Sequence, residues 1–270
     1  MKQLSLQECQ KRLLEIAKCF DAICQRNDIP YYMIGGTLLG AIRHKGFIPW
    51  DDDMDFGVPI KYYEKLMGCL EKELPKQYRL CQFEKVKNCN TVFSKIDDME
   101  TCVDDKCNKC PLSEQLGLSI DIFPLCFCEK ENESNIKLQK LRYIDQKVFA
   151  ESMENRWYKR FCKAILRAVF PLSRKRLMKK MWKLTNSIKG GDYLANVFGL
   201  VGERELIPLS FYGRDSRYQF EDAFFCGPEK YDDYLKQIYG NYMQLPPVEK
   251  RKSHSFGVYL KHTTSGLEHE

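Results

Sequence analysis

Four aspartates lie close together in the N-terminal part of the chain, at Asp51, Asp52, Asp53 and Asp55. Asp53 and Asp55 are two residues apart, so on a β-strand both carboxylates would point to the same side. Two adjacent carboxylates repel each other unless a cation lies between them, and hard oxygen ligands suit Mg²⁺ or Mn²⁺. The spacing therefore predicts a divalent-metal site.

A glycine pair, Gly35 and Gly36, precedes these acids and follows a short apolar run at residues 31–34 that is typical of a strand. Glycine lets the backbone approach a ligand closely and adopt positive φ. Thr37 follows as a candidate helix cap, and the N–H groups of such a turn can hold a phosphate. Glycines for phosphate and carboxylates for metal together indicate a nucleotide site.

A solvated loop is the alternative for the acidic run, since acidic runs are usually solvated. Trp50, Met54 and Phe56 are interleaved with the acids, however, and a solvated loop does not need large apolar side chains there. We therefore expect Met54 and Phe56 to pack on the side of a strand opposite the carboxylates.

A further aspartate, Asp121, interrupts an otherwise apolar segment at residues 118–125. An ionised carboxylate in a buried strand is costly unless it is paired or bound to a metal. We interpret Asp121 as the third carboxylate of the site. The alternative is an aspartate that caps a neighbouring loop.

Two long segments resemble the LicD family, which includes the fukutin-related proteins and looks like a branch of the nucleotidyltransferase superfamily. The sequences are Gly-Gly-Thr-Leu-Leu-Gly-Ala-Ile-Arg-His at residues 35–44 and Ile-Pro-Trp-Asp-Asp-Asp-Met-Asp at residues 48–55. Shorter similarities extend the resemblance over nearly the whole chain, at Asp-Ile-Phe-Pro from Asp121, at residues 239–247 and at Arg251-x-x-His254. The gap between Gly36 and Asp53 is longer than is usual in the superfamily, so the connecting segment must differ.

The resemblance implies roles for particular residues. Asp53 and Asp55 would hold Mg²⁺ or Mn²⁺, and Asp121 would either bind the metal or take the proton of the acceptor hydroxyl. The expected nucleotide and phosphate contacts are Gly35, Gly36, Thr37, Arg43, His44 and Lys95. A solvent-facing side chain is the alternative for Lys95, and a bond within a loop is the preferred role of His254.

The resemblance also implies a reaction. LicD-like proteins transfer a phosphorylated alcohol, such as phosphocholine or a polyol phosphate, from a CDP-activated donor to a sugar hydroxyl, and release CMP. The implied acceptor is a cell-surface glycan, such as lipopolysaccharide or teichoic acid, or its precursor. The alternatives are nucleotidyl transfer to a small molecule and a non-catalytic module that binds polyanions. A metal-dependent glycosyltransferase leaves Gly35, Gly36 and Asp121 unexplained.

The elements around these residues follow from local patterns. Ser5 and Glu8 form a capping-box pair before an apolar helical stripe, and Pro59 precedes a second helix at residues 60–74. Other segments are predicted as strands at 78–83 and 91–96, a short hairpin or loop at 217–221 and 224–228, and helices at 135–155 and 229–239. The expected fold is α+β, a nucleotidyltransferase-like mixed β-sheet flanked by helices with a mainly helical C-terminal half.

This division gives a catalytic core at residues 1–128, a mainly helical region closing the cleft at 129–260, and a tail at 261–270 with a vector-like ending. The apolar fraction of 44% is typical of a folded protein, and the net charge is +6. The first ten residues are polar and resemble no signal peptide, so we expect a cytoplasmic protein.

The segment at residues 156–189 contains many lysines and arginines and no acidic residue. Its apolar residues follow helical spacing, so a basic amphipathic helix pair is expected, broken at Pro171. Such helices would lie peripherally on an anionic membrane surface or hold a polyanionic acceptor. The alternative is a core-packed helix with a solvated basic face. No nucleic-acid recognition motif is present, so no nucleic-acid partner is expected.

Thirteen cysteines in an expected cytoplasmic protein favour thiols or metal ligands over disulfides. Cys107 and Cys110 have the spacing of a thiolate pair for structural Zn²⁺, with Cys102 as a third ligand. The second ligand pair that would make this pattern specific is missing. Free loop thiols are the alternative.

Overall fold

The computed structural model describes residues 1–83, 85–87, 89, 91–104, 111–129, 173–187, 190–199, 202–213, 216–251 and 257–261, with isolated positions between 137 and 168. Several predictions concern residues outside this set: the zinc ligands Cys107 and Cys110, the loop residue His254, much of the helix at 135–155, most of the first half of the basic segment, and the tail from 262.

The described strands are β1 (Lys2–Gln3), β2 (Tyr32–Met33), β3 (Asp55–Pro59), β4 (Tyr78–Cys81), β5 (Ser94–Asp98), β6 (Thr101–Asp104), β7 (Ser119–Cys128), β8 (Tyr193–Ala195), β9 (Leu206–Pro208), β10 (Arg217–Phe220), β11 (Ala223–Cys226) and β12 (Gly257–Leu260). The described α-helices are α1 (Leu6–Arg26), α2 (Gly35–His44), α3 (Ile60–Glu73), α4 (Arg174–Ser187) and α5 (Tyr231–Tyr239).

The main sheet is mixed and has the order β2-β3-β7-β5-β4. β3 and β7 are parallel, and the other pairs along this path are antiparallel. Helices and strands share one layered core, which confirms the predicted α+β class. The central position of β7 explains its apolar sequence, because it has a paired strand on each side.

One face of this sheet is covered by α1 and α3. Phe56 in β3 packs against Phe20 of α1, with their ring centroids 5.0 Å apart. The Tyr63 hydroxyl of α3 donates to the Ile122 carbonyl at 2.8 Å and accepts from the Ser94 N–H at 2.9 Å. Because side chains alternate along a strand, the residues next to Phe56, Ile122 and Ser94 point to the opposite face.

The predicted start of α1 is confirmed. The Glu8 N–H donates to the Ser5 hydroxyl at 3.2 Å, and the Ser5 N–H donates to the Glu8 carboxylate at 2.8 Å, which completes a capping box. The helix ends at Asn27, as expected. The helix after Pro59 and the hairpin of β10 and β11 are confirmed as well.

Beyond residue 129, the described residues contain α4 and α5, which confirm the second helix predicted in the basic segment and the helix predicted at 229–239. They also contain five short strands, and of these strands only β10 and β11 were predicted. β8 pairs with the end of β7, and β12 returns to pair with β6 and β1. These pairings connect both halves of the chain, and the predicted boundary at residue 128 stays a prediction. Within the part of the chain that is described, no helix combines the length and the apolar character needed to span a membrane.

Candidate active site

Three neighbouring strands bring Asp55, Asp121 and Lys95 to the same level of the sheet. Asp55 in β3 is in register with Asp121 in β7, and Asp121 is in register with Lys95 in β5. The Lys95 ammonium lies 2.6 Å from the Asp121 carboxylate. Backbone pairing therefore places two carboxylates and one cation together, on the face opposite α1 and α3. The solvent-facing alternative for Lys95 is wrong.

At this site the negative charges of the carboxylates act on Asp55 more strongly than the positive charge of Lys95. Burial raises the pKa of Asp55 well above its usual range, and the charges of Asp53 and Asp121 raise it further, while Lys95 opposes them. Burial acts to lower the pKa of Lys95, but the charge of and hydrogen bond to Asp121 prevail, so the pKa of Lys95 is raised. Lys95 is accordingly held as a cation.

The acidic run lies immediately before β3 and at its first residue. Met54 and Phe56 are fully buried, while Asp53 and Asp55 are partly exposed, which confirms the predicted alternation of apolar and acidic side chains. Asp53 precedes the strand, because β3 begins at Asp55. Its charge nevertheless acts on Asp55.

The turn before α2 differs from the prediction in one respect. The helix begins at Gly35, two residues earlier than expected, and its N-cap is Ile34, which makes no side-chain cap. Thr37 is therefore not the cap. Its hydroxyl instead accepts a hydrogen bond from the Asp55 N–H at 2.7 Å, so it holds the start of β3 against α2.

Both glycines border the carboxylates directly. Gly35 has φ of +54°, which a side chain would strain, and a Cβ there would lie 3.6 Å from the Asp55 carboxylate. A Cβ on Gly36 would lie 3.1 Å from the Asp51 carboxylate. The N-terminus of α2 thus faces the acids, with glycine favoured at 35 by its positive φ and at 36 by the close approach of Asp51.

Two tyrosines of α5 complete this side of the site, and neither was selected from the sequence. The Gly35 N–H approaches the Tyr234 hydroxyl at 3.4 Å. A Cβ on Gly35 would lie 3.7 Å from the Tyr239 hydroxyl. Burial raises the pKa of Tyr239, and the charge of Asp55 adds to the effect, so this hydroxyl stays neutral and able to donate. The family-like segment that starts at Tyr239 was the available signal.

Arg43 and His44 lie at the other end of α2, about 13 Å along the helix axis from Gly35 at ~1.5 Å per residue. The Arg43 guanidinium donates to the Tyr242 carbonyl at 2.6 Å. Burial lowers the pKa of His44, and the Arg43 charge lowers it further. The His44 ring packs edge-on to Trp50 at 6.5 Å. The structure therefore separates both residues from the glycine turn, and their contact with phosphate stays a prediction.

The chemistry of the donor set fits a hard divalent cation. Asp53, Asp55 and Asp121 supply carboxylate oxygens, and the raised pKa of Asp55 shows that the cluster would be stabilised by more positive charge. Within the described residues, no three His, Cys, Asp or Glu side chains are gathered tightly enough to enclose a metal ion. The Lys95 ammonium lies against Asp121, where it supplies part of the charge that a metal would supply.

The predicted zinc site is only partly within the described structure. Cys102 lies in β6 with its thiol buried, 3.7 Å from the Tyr259 carbonyl in β12. Burial raises the pKa of this thiol, which favours a neutral side chain. Cys107 and Cys110 lie outside the described residues, so zinc binding stays a prediction.

Comparison with known families and proteins identifies the family to which this chain belongs. The family model described as LicD/FKTN/FKRP, nucleotidyltransferase domain, matches residues 28–183, which include the glycine turn and every carboxylate of the site. The chain belongs to the LicD family. The resemblance inferred from the residues is thereby confirmed.

LicD relatives differ in how much of this chain they match. The lipopolysaccharide cholinephosphotransferase LicD of Haemophilus influenzae is 33% identical over 267 residues, which cover 94% of this chain and 97% of that protein. The ribitol 5-phosphate transferase FKRP of Homo sapiens is 38% identical over 61 residues, 23% of this chain and 12% of that protein. The solution structure of the antibiotic-resistance factor ANT(2'')-Ia covers 66% of this chain and 95% of its own, at 11% identity and a TM-score of 0.28, too low to carry an argument.

Proposed function

We propose that this LicD-family chain transfers a phosphorylated alcohol from a CDP-activated donor to a sugar hydroxyl of a cell-surface glycan or its precursor, releasing CMP. The alcohol would be choline or a polyol. The observation that carries the proposal is the alignment of Asp55, Asp121 and Lys95 on three adjacent strands beside a glycine turn. Two relatives, a cholinephosphotransferase and a ribitol 5-phosphate transferase, support the class of group transferred.

The bonds change as follows in the proposed reaction. The acceptor oxygen attacks the phosphorus that carries the alcohol, a phosphodiester bond forms, and the pyrophosphate P–O bond breaks towards CMP. The acceptor proton must pass to a base. Asp121 is the candidate base, because it lies in register with Asp55 and the Lys95 ammonium at 2.6 Å fixes the orientation of its carboxylate.

Other residues would bind and position the donor. The backbone N–H groups at the start of α2 point towards the pyrophosphate in this proposal, with Gly35 and Gly36 leaving room for it. Thr37 would position Asp55 through the hydrogen bond that its hydroxyl accepts from the Asp55 N–H. That hydroxyl still has a proton to donate, so the predicted contact of Thr37 with the donor stays a prediction. Tyr239 would donate its hydroxyl proton to an oxygen of the donor or of Asp55.

A divalent cation belongs to this proposal as the cofactor. Asp53 and Asp55 would hold Mg²⁺ or Mn²⁺, which would neutralise phosphate charge and stabilise the departing oxygen. Asp121 would either join them as a ligand or take the acceptor proton. Most of the acceleration in such a reaction comes from positioning and charge stabilisation.

The direct test measures CMP release from CDP-choline, CDP-glycerol and CDP-ribitol with a glycan acceptor, with and without Mg²⁺. One donor should be consumed in a metal-dependent reaction. Asp55→Asn and Asp121→Asn should each lower the rate about 1,000-fold or more, since each removes a charge that acts on the reacting groups. Asp233→Asn, on the exposed side of α5, is the matched control and should retain full activity. Full activity of Asp55→Asn would refute the assignment.

Nucleotidyl transfer is the second candidate, favoured by the description of the family model as a nucleotidyltransferase domain. The same carboxylates would serve, but the products differ. Phosphorus NMR of the products distinguishes free CMP from a nucleotide joined to the acceptor. A non-catalytic module that binds polyanions would instead release no CMP and would tolerate Asp121→Asn. The expected location, in the cytoplasm at the inner membrane face, stays a prediction.

A further inference from the structure

A basic depression lies on the surface between α4 and the helical positions at residues 137–141. It has a volume of about 530 Å³ and lies on the exterior of the protein, away from the strands that carry the carboxylates. The side chains that define this basic depression are Lys137, Lys140, Leu141, Lys180, Lys183 and Leu184.

The two walls of the basic depression repeat one sequence pattern. Residues 137–141 and residues 180–184 both have the form Lys-x-x-Lys-Leu. On a helix, positions i, i+3 and i+4 share one face, so each wall presents two lysine side chains and one leucine to the same space. Four lysine side chains and two leucines therefore line the basic depression, together with Ser187.

The packing of α4 leaves its lysine-bearing face exposed to solvent. Leu177, Met178 and Met181 are buried, so the apolar stripe of the helix packs on the protein and is not free to enter a bilayer. The apolar face of this helix is thus packed in the protein and its basic face points outward, whereas contact of that face with a membrane stays a prediction. The four lysines of the depression are exposed.

We propose that the basic depression binds the headgroup of an anionic phospholipid at a membrane surface. The phosphate would lie among the four ammonium groups, and the adjoining glycerol and acyl carbons would cover the two leucines. A free phosphate makes no use of the two leucines, and among the described residues that line the depression there is no aromatic ring on which a nucleic-acid base could stack. This binding does not depend on the proposed transfer reaction, so either proposal can fail alone.

The test is co-sedimentation of the full chain with vesicles of phosphatidylcholine, with and without phosphatidylglycerol. The variant replaces Lys137, Lys140, Lys180 and Lys183 by Gln. The control replaces four exposed lysines elsewhere on the surface by Gln: Lys11, Lys72, Lys76 and Lys250. Both changes lower the formal net charge from +6 to +2, so they differ only in where charge is lost.

We expect the unmodified chain to bind only the vesicles that contain phosphatidylglycerol. The four changes in the basic depression should weaken that binding about 100-fold or more, and the control should weaken it far less. Equal loss in the two variants, or no binding by the unmodified chain, would overturn the proposal. So would displacement from the vesicles by an equal concentration of inorganic phosphate, or tighter depression-dependent binding to a single-stranded oligonucleotide than to the vesicles.

Discussion

The carboxylate site and the basic depression both concentrate charge, but they fix it in different ways. In the site, β-sheet register sets the positions of Asp55, Asp121 and Lys95, and opposite charges are paired within the protein. In the basic depression, lysines of one sign project from helices into solvent. The first arrangement depends on individual atoms and resists screening, whereas the second sums many weak contributions that salt reduces.

The largest effect that separates the two regions should come from Lys95→Met. It removes the ammonium 2.6 Å from Asp121, so the carboxylates lose their paired cation. We expect CMP release to fall about 100- to 1,000-fold, and Lys95→Arg, which keeps the charge, to lose less. The acidic limb of the pH–rate profile should move to higher pH, because Lys95 opposes the rise in the pKa of Asp55.

The matched control for that change is Lys72→Met at an exposed position of α3. It should leave both the rate and the pH profile unchanged. If Lys95→Met behaves like this control, the ion pair is structural only, and the contrast drawn between the two regions is wrong.

The effect of intermediate size is that of Asp55→Asn on the melting temperature. The pKa of Asp55 is raised in the folded state above its ordinary value of 3.8. The free energy of unfolding therefore decreases as the pH rises from 3.8 towards the raised pKa, because the folded protein resists ionisation of this carboxyl. Asp55→Asn should therefore raise the melting temperature by a few degrees at pH 7 without metal, at about 2–4 °C per kcal/mol. The gain should vanish below pH ~4.

Adding Mg²⁺ provides the second half of that measurement. The cation should raise the melting temperature of the unmodified chain and have a smaller effect on Asp55→Asn, because a ligand stabilises only the state that binds it. A melting temperature of Asp55→Asn below that of the unmodified chain at pH 7 would contradict the account of Asp55.

The smallest expected effect is that of a single lysine in the basic depression. Lys180→Gln should weaken binding to vesicles with phosphatidylglycerol only about fivefold, as expected for ~1 kcal/mol per lysine near an anionic surface. Raising the salt concentration should shrink this difference, while the effect of Lys95→Met on the rate should persist. If the effect of Lys180→Gln did not change with salt, this lysine would behave like the paired charges of the carboxylate site, and the contrast between the two regions would be wrong.

Local patterns in the sequence were sufficient for the parts of the site that lie on strands. Alternation placed Met54 and Phe56 opposite the acids, and a single Asp121 in an apolar strand marked the neighbour of Asp55. The capping box of α1 was equally local. Each of these features depends on residues a few positions apart, so the sequence contains the information.

Contacts between distant segments were not predictable in this way. Thr37 looked like a cap because of its position, but its hydroxyl is occupied by the Asp55 N–H across the turn. Lys95 had two equal interpretations until strand register placed it beside Asp121. Tyr234 and Tyr239 reach the glycine turn only through the packing of α5, which no local pattern reveals.

The contact between Tyr234 and Gly35 spans 199 positions of the chain. Contacts so distant in sequence close late, since loop closure must be completed before they contribute stability. During synthesis the ribosome therefore releases the aspartates and the glycine turn well before the tyrosines that flank them. A nascent chain that has not yet extruded α5 carries the acidic residues of the site without the tyrosines that flank them, so the site is complete only after α5 has been synthesised.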